Sequence, residues 1–255
     1  MRRQLHLLLI PLVLVAAIVA WNALTAIGGY PEFILPRAGS VFNRFLLLAQ
    51  DGTLARNAGQ TATEALGGFL IGMTFGTLIG YPLAKLPPLE RAISPYLVAS
   101  QAVPIVALAP LMVLWFGFGM TSKLMAAALI AFFPILVNMI VGVRSVDFES
   151  RSLMRTLSAS PWEVFAKLEV PAALPIYLGG LRVGITLSVI GAVVGEFVGA
   201  DGGLGYLIAQ SRGLFDTVTL FVALLSLMAM ALCFYLSVVG LERVLLASRR
   251  RAEFI

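Results

Sequence analysis

Five stretches of this chain contain no Asp, Glu, Lys or Arg: Leu5–Ile27, Ala65–Ala84, Ala92–Ser122, Leu124–Val143 and Thr217–Leu241. A sixth run, Leu174–Ala200, is broken only by Arg182 and Glu196. An α-helix rises about 1.5 Å per residue, so roughly 20 residues cross the ~30 Å hydrocarbon core of a bilayer. Lipid offers no partners for backbone N–H and C=O groups, so continuous apolar runs of this length predict helices. The expected fold is all-α and integral to the membrane. It is a single transmembrane domain over residues 1–255, with six helices near 5–27, 65–84, 96–118, 124–143, 174–199 and 217–241.

Composition agrees with lipid as the main solvent. Hydrophobic residues make up 60% and charged residues 12%, about half the charged share of an average soluble domain. Mean hydropathy is +0.96. The net charge of +5 would suggest nucleic acid in a soluble protein, but here the basic residues sit in short segments between apolar runs. No nucleic-acid role is expected, and the cations are read as topology signals. With the N-terminus inside, the inner segments hold Arg2, Arg3, Lys85, Arg91, Arg144, Arg151, Arg155, Lys167, Arg243, Arg249, Arg250 and Arg251. The outer segments hold only Arg37, Arg44, Arg56, Lys123 and Arg212, and Arg182 lies inside a span. Both termini and the segment 144–173 are therefore expected in the cytoplasm. The first run is longer than the 7–15-residue core of a signal peptide and is read as a span.

Several chemistries are disfavoured. The lone Cys233 forms no intrachain disulfide, and the lone His6 leaves no His/Cys metal cluster. No GxxxxGK[ST] loop is present, so this chain does not hydrolyse ATP by that route. Carboxylates are scattered, without the concentrated polar site a membrane enzyme needs.

Within the spans, Gly68, Gly72, Gly76 and Gly80 recur every fourth residue, a pattern for close helix packing or for a sliding surface. Gln101, Pro104 and Pro110 mark the third span as either a pathway lining or a kinked packing helix. Glu196, about 33 Å along its run from Leu174, falls near the outer interface. It fits a substrate vestibule, a solvated helix end or a structural ion pair. Thr61 and Glu64 have capping-box spacing just ahead of the second span. Val41, Phe42, Phe45, Leu46 and Leu48 give a short interfacial helix.

The longest polar interruption is RTLSASPWEVFAKLEVPAALP, residues 155–175. Ser160 and Glu163 form a capping box, and Pro161 takes the first helical position. The helix is expected to stop near Leu168, ahead of Pro171. A second short helix, 149–157, precedes the SAS turn. The pair is either an amphipathic loop resting on headgroups or a stiff docking element for a cytoplasmic partner.

This segment resembles the EAA loop of bacterial ATP-binding-cassette importer permeases, EAA-x3-G-x9-I-x-LP. Ser152, Leu153 and Met154 take the EAA positions, and Ser158 takes the glycine position. Leu168, Glu169, Val170 and Pro171 take the closing I-x-LP. The spacing is kept without a gap, with Ser152 and Ser158 where the pattern has Glu and Gly. ILPRAGSV, APLMVLWFGFGMTSK, PWEVF, LPIYLGGLRVGI and GGLGYLI are similar to segments of the nitrate/sulfonate/taurine group of these permeases.

The resemblance implies a type I importer fold, with a cytoplasmic coupling helix between the fourth and fifth spans. It implies a bacterial inner-membrane subunit without catalytic residues. A second permease copy, most simply a C2 homodimer, would complete the pathway. A separate ABC ATPase would bind ATP and Mg, and an extracytoplasmic binding protein would deliver a small solute. Sulfonates, taurine, nitrate, bicarbonate and pyrimidine- or flavin-type vitamin precursors are the substrate classes implied. Coupling falls to Ser152, Leu153, Met154, Arg155, Thr156, Leu157, Ser158, Ala159, Ser160, Pro161, Trp162 and Glu163. Candidate pathway residues are Gln101, Pro104 and Glu196. The rival reading is a secondary transporter or channel without an ATPase, for which no matched pair of interrupted spans is visible.

Overall fold

A computed structural model describes the backbone of residues 2–252 and the side chains of residues 12–13, 15–104 and 106–246. The side chains of Arg2, Arg3, Arg249, Arg250 and Arg251, which enter the topology reading, and of His6, which enters the metal reading, lie outside the described ones. Described secondary structure is helical throughout. It comprises α1 (Arg2–Gly28), α2 (Ala38–Gln50), α3 (Thr53–Lys85), α4 (Pro87–Gln101), α5 (Ile105–Phe116), α6 (Met120–Arg144), α7 (Phe148–Thr156), α8 (Pro161–Val164), α9 (Val170–Glu196), α10 (Leu204–Gly213) and α11 (Thr217–Ala252). A π-helical turn, Phe165–Glu169, joins α8 to α9.

Four helices among the described residues are long and apolar enough to cross a membrane: Thr53–Lys85, Met120–Arg144, Pro161–Glu196 and Thr217–Leu246. A bent pair, Pro87–Gln101 with Val106–Phe116, adds a fifth if it counts as one span. The molecule is therefore a multi-pass membrane protein.

The central helix is α6. Small residues let α3 and α9 approach it from two sides. A Cβ on Gly68 would stand 2.3 Å from Cβ of Ala127, and one on Gly72 would stand 2.7 Å from the carbonyl oxygen of Ala128. Gly76 faces Ile135 and Gly80 faces Met139 in the same way. On α9, Gly191 backs onto Ala127 and Gly180 onto Asn138. Helices in lipid gain from such approach because dispersion between tightly fitted backbones replaces looser contact with acyl chains. Ile135 and Leu136 of α6 are fully buried as a result.

Several expectations need correction. The third span, expected as one helix over 96–118, is broken at 102–104, and its halves meet at 101°. Pro104 has no N–H to continue α4, and it precedes Ile105 as the N-cap of α5 with extended backbone.

The second span does not begin with a Thr61/Glu64 capping box. α3 starts at Thr53, after the left-handed Gly52, so both residues are helix interior and almost fully buried.

The helix after Pro161 does not end at Leu168. It runs unbroken from Pro161 to Glu196, through Pro171 and Pro175. The π-helical turn accommodates Pro171 by widening the helix just ahead of it, with the Val170 N–H reaching back five residues to the carbonyl of Phe165. The sixth span is also longer than expected, and α10 was not foreseen.

Candidate functional site

The polar segment between α6 and α9 begins with α7, started by Asp147, whose carboxylate accepts from Ser150 N–H at 2.6 Å. Those Ser150 hydrogen bonds hold the Asp147 carboxyl below its ordinary value of 3.8. The chain then turns through Leu157–Ser160, where Ser158 has φ +51°. The turn is closed by Ser158 N–H to Arg155 carbonyl (2.9 Å) and Ala159 N–H to Met154 carbonyl (3.0 Å). At Ser160 the capping box is complete: the Glu163 N–H donates to the Ser160 hydroxyl, and the Ser160 N–H donates to the Glu163 carboxylate at 3.0 Å. Lys167 adds an ion pair to Glu163 at 2.9 Å, one turn on. Each of these contacts fixes local backbone.

The outward face is apolar. Phe148, Leu153, Leu157 and Trp162 are 79%, 59%, 66% and 71% exposed. Ser152, Met154 and Ala159 are half-buried, while Arg155, Thr156, Ser158, Ser160 and Pro161 are exposed. Large exposed apolar side chains on a backbone this well tied fit an interaction surface. Trp162 leans on Phe165, with ring centroids 5.3 Å apart, and Phe165 packs edge-on against Tyr81 of α3 at 5.4 Å.

Behind this face lies a charged junction that sequence reasoning did not assemble. Glu169, the last residue of the π-helical turn, is 1% exposed. Its carboxylate accepts from Tyr81 hydroxyl at 2.9 Å, pairs with Lys85, and lies 3.4 Å from an Arg151 guanidinium nitrogen. Arg151 also donates to the Val143 carbonyl at 2.9 Å. Next to it, Arg144 pairs with Glu90 of α4 at 3.2 Å and donates to the Ala84 carbonyl of α3. Glu169 and Arg151 are 18 residues apart, and Lys85 is 84 residues from Glu169, so no local spacing announces the group.

The other candidate positions lie elsewhere. Gln101 and Pro104 are exposed and flank the break between α4 and α5. Gln101 lines a cavity of about 380 Å³ with Ser100, Val103, Leu108, Phe133 and Leu187. Glu196 is 1% exposed rather than open to solvent. It accepts from Thr61 hydroxyl at 2.6 Å and from the N–H groups of Gly205 and Tyr206. Beside it, Lys123 of α6 pairs with Glu64 of α3 at 3.1 Å. The cluster ties α3, α6, α9 and the start of α10 together, and lining a pathway would require Glu196 to break these bonds.

Residues 72–251 match the family described as binding-protein-dependent transport system inner membrane component. The chain is 44% identical to the riboflavin transport system permease protein of Chloroflexus aurantiacus, over 92% of this chain and 88% of that one. It is 33% identical to the formylaminopyrimidine transport permease protein of Halalkalibacterium halodurans, over 98% of this chain and all of that one. Among solved structures, an inward-facing form of the MetNI methionine ABC transporter superposes with a TM-score of 0.63, over 74% of this chain and 95% of that one. Its 18% identity speaks to the fold alone. An all-helical multi-pass architecture, a match over most of its length and full-length relatives together show that this chain belongs to the binding-protein-dependent ABC transporter permeases.

Proposed function

We propose that this permease carries a flat, largely uncharged heterocycle of the riboflavin or formylaminopyrimidine kind inward across the bacterial inner membrane. Movement is driven by a separate ATPase docked on the segment Ser152–Glu163. The permease role itself follows from the family. The observation that carries the substrate reading is the pairing of 44% identity to a riboflavin permease with the cavity beside Gln101. Among the described residues that line the cavity, none is charged; Phe133 offers a stacking face, and Ser100 and Gln101 offer hydrogen bonds. A sulfonate or nitrate would call for a cationic or amide-rich cradle.

The remaining parts of the assembly follow the same reading. Six spans are made by counting α1 and the bent α4–α5 pair with the four long helices. Both termini face the cytoplasm, by the excess of basic residues on that side. Two copies related by a twofold axis form the pathway, with Gln101 and Pro104 beside it, and an extracytoplasmic binding protein supplies the cargo. ATP and Mg belong to the ATPase. ATP-driven closure of that subunit would draw the two docked segments together and exchange inward- and outward-facing states.

Proteoliposomes containing the permease, its copurifying ATPase and the cognate binding protein test this. ATP-dependent uptake of labelled riboflavin or formylaminopyrimidine is expected, with taurine failing to compete. Taurine or sulfonate uptake in place of the heterocycle overturns the substrate reading. Uptake by the permease alone, with no ATPase captured, overturns the ATP-driven one. Leu157→Glu or Trp162→Glu should abolish ATPase capture while the chain still inserts, and full capture removes the docking assignment.

A further inference from the structure

We infer that Glu169 is a positioning residue for coupling: it pins the docking segment to α3, so that α7, the π-helical turn and α3 move as one body. This rests on the docking role proposed above for Ser152–Glu163.

Three observations carry it. First, α7 has almost no backbone packing of its own; among the described elements, none lies closely along it. Its inward anchor is Arg151, which reaches the Glu169 carboxylate and the Val143 carbonyl. Without these contacts, force applied to Leu153 or Leu157 would swing α7 rather than displace the bundle.

Second, among the described residues Glu169 is the one carboxylate shared by cations from two different elements, Lys85 of α3 and Arg151 of α7, with Tyr81 completing its hydrogen bonds. A buried carboxylate is stable only with such compensation. Removing its charge leaves two cations facing each other across the joint, so the contact between α7 and α3 turns from attractive to repulsive. Both cations are about one-third exposed on the side chain, so each has room to swing away once released.

Third, the π-helical turn sets the direction of Glu169. An extra residue in the turn rotates everything before it by about 100° relative to a regular helix. The turn that lets the helix pass Pro171 is thus also the turn that brings Glu169 under α3. A π-helical turn is rare, and its frequent place is a functional position.

The test reads the joint directly. Nitroxides are placed on Glu149→Cys of α7 and Leu78→Cys of α3, both exposed positions, in a Cys233→Ala background. The labelled full-length chain is diluted with unlabelled chain and assembled in nanodiscs with its copurifying ATPase. Intrachain distances are then measured by pulsed electron resonance. Unmodified at 169, the chain should give one narrow distance that stays the same in the absence of nucleotide and after trapping with ATP and vanadate. Glu169→Gln, nearly isosteric, should lose the narrow peak, and stimulation of ATP hydrolysis by the binding protein should fall with it. Arg151→Gln, which frees α7 alone and leaves Glu169 paired with Lys85, should lose the narrow peak as well.

A narrow, unshifted distance and full stimulation in both variants would overturn the inference. So would a distance that shifts with nucleotide in the chain carrying Glu169. If no ATPase associates with the chain, the docking role fails, yet the comparison of Glu169→Gln with its parent still decides whether Glu169 pins α7 to α3.

Discussion

Thr61 of α3 donates a 2.6 Å hydrogen bond to Glu196 of α9, joining residues 135 apart in the chain. Leu204 N–H donates to the same Thr61 hydroxyl at 2.7 Å, and Gly203 N–H donates to the Asn57 side chain at 2.8 Å. The entry to α10 is thus held by side chains from α3 and α9. Glu196→Ala would strand the Gly205 N–H, costing about 1–3 kcal/mol if left unpaired, while the Thr61 hydroxyl keeps the Asn57 carbonyl and the Leu204 N–H as partners. The expected outcome is a clear loss of thermal stability in detergent, with Glu196→Gln falling between parent and alanine.

Lys123 and Glu64 give a sharper contrast, since their side chains are 4% and 1% exposed. Lys123→Met should cost about 3–5 kcal/mol by leaving a buried carboxylate without its counter-ion. Adding Glu64→Gln to Lys123→Met should recover most of that loss. Thermal denaturation of the two singles and the double closes the cycle, and strict additivity would show that the charges are not coupled.

Gly68 and Gly59 lie on the same helix and should respond oppositely to alanine. A Cβ on Gly68 meets Ala127, whereas one on Gly59 meets nothing within 4 Å. Gly68→Ala is expected to destabilise by about 1–3 kcal/mol through overpacking of α3 against α6. Gly59→Ala should stabilise by up to about 1 kcal/mol, the helix propensity difference. Denaturation midpoints of the two variants decide it.

Ser158 occupies the left-handed region at φ +51°, where a side chain costs roughly 1 kcal/mol relative to glycine. Ser158→Gly should relieve that cost without moving the turn, and ATPase capture should be retained. Lower stability in the glycine variant would mean the hydroxyl makes a contact that outweighs the strain.

The N-cap of α7 is sensitive to acid. Asp147 titrates below its unfolded value of 3.8 because Ser150 bonds its charged form. Its contribution is therefore complete above the unfolded value and is lost as pH falls through the lower folded value. Pepsin cleavage around Leu153 and Leu157 should accelerate over that acidic window. Asp147→Asn, which retains a capping oxygen but does not titrate, should flatten the pH dependence of that cleavage.

What could be read from the chain divides by the range of the interaction involved. The apolar runs, the capping box at Ser160 and the four-residue glycine spacing are local, and each can be located without knowing what lies opposite. Thr61 and Glu64 show the limit: their spacing is that of a cap, but eight helical residues precede Thr61 and both side chains turn into a buried network with Lys123 and Glu196. Pro171 reads as a helix end because proline removes one donor. The compensating π-helical turn sets Phe165 and Glu169 against Tyr81, which lies on another helix 84 or more residues away. The break at 102–104 was signalled by Pro104, but the size of the bend depends on packing between α4, α5 and α6. Glu169 carried no local mark at all, since its partners are 18 and 84 or more residues away.

The helix from Pro161 to Glu196 has 36 residues, so by its rise it is a beam about 54 Å long. One end carries the face that includes Trp162, and the other ends in the cluster that grips α10. Such a beam would work as a seesaw: a tilt of about 10° around its middle would carry the two ends roughly 5 Å in opposite directions. Narrowing on one side of the membrane and widening on the other would then be two readings of a single rotation, with no signal relayed from residue to residue between them.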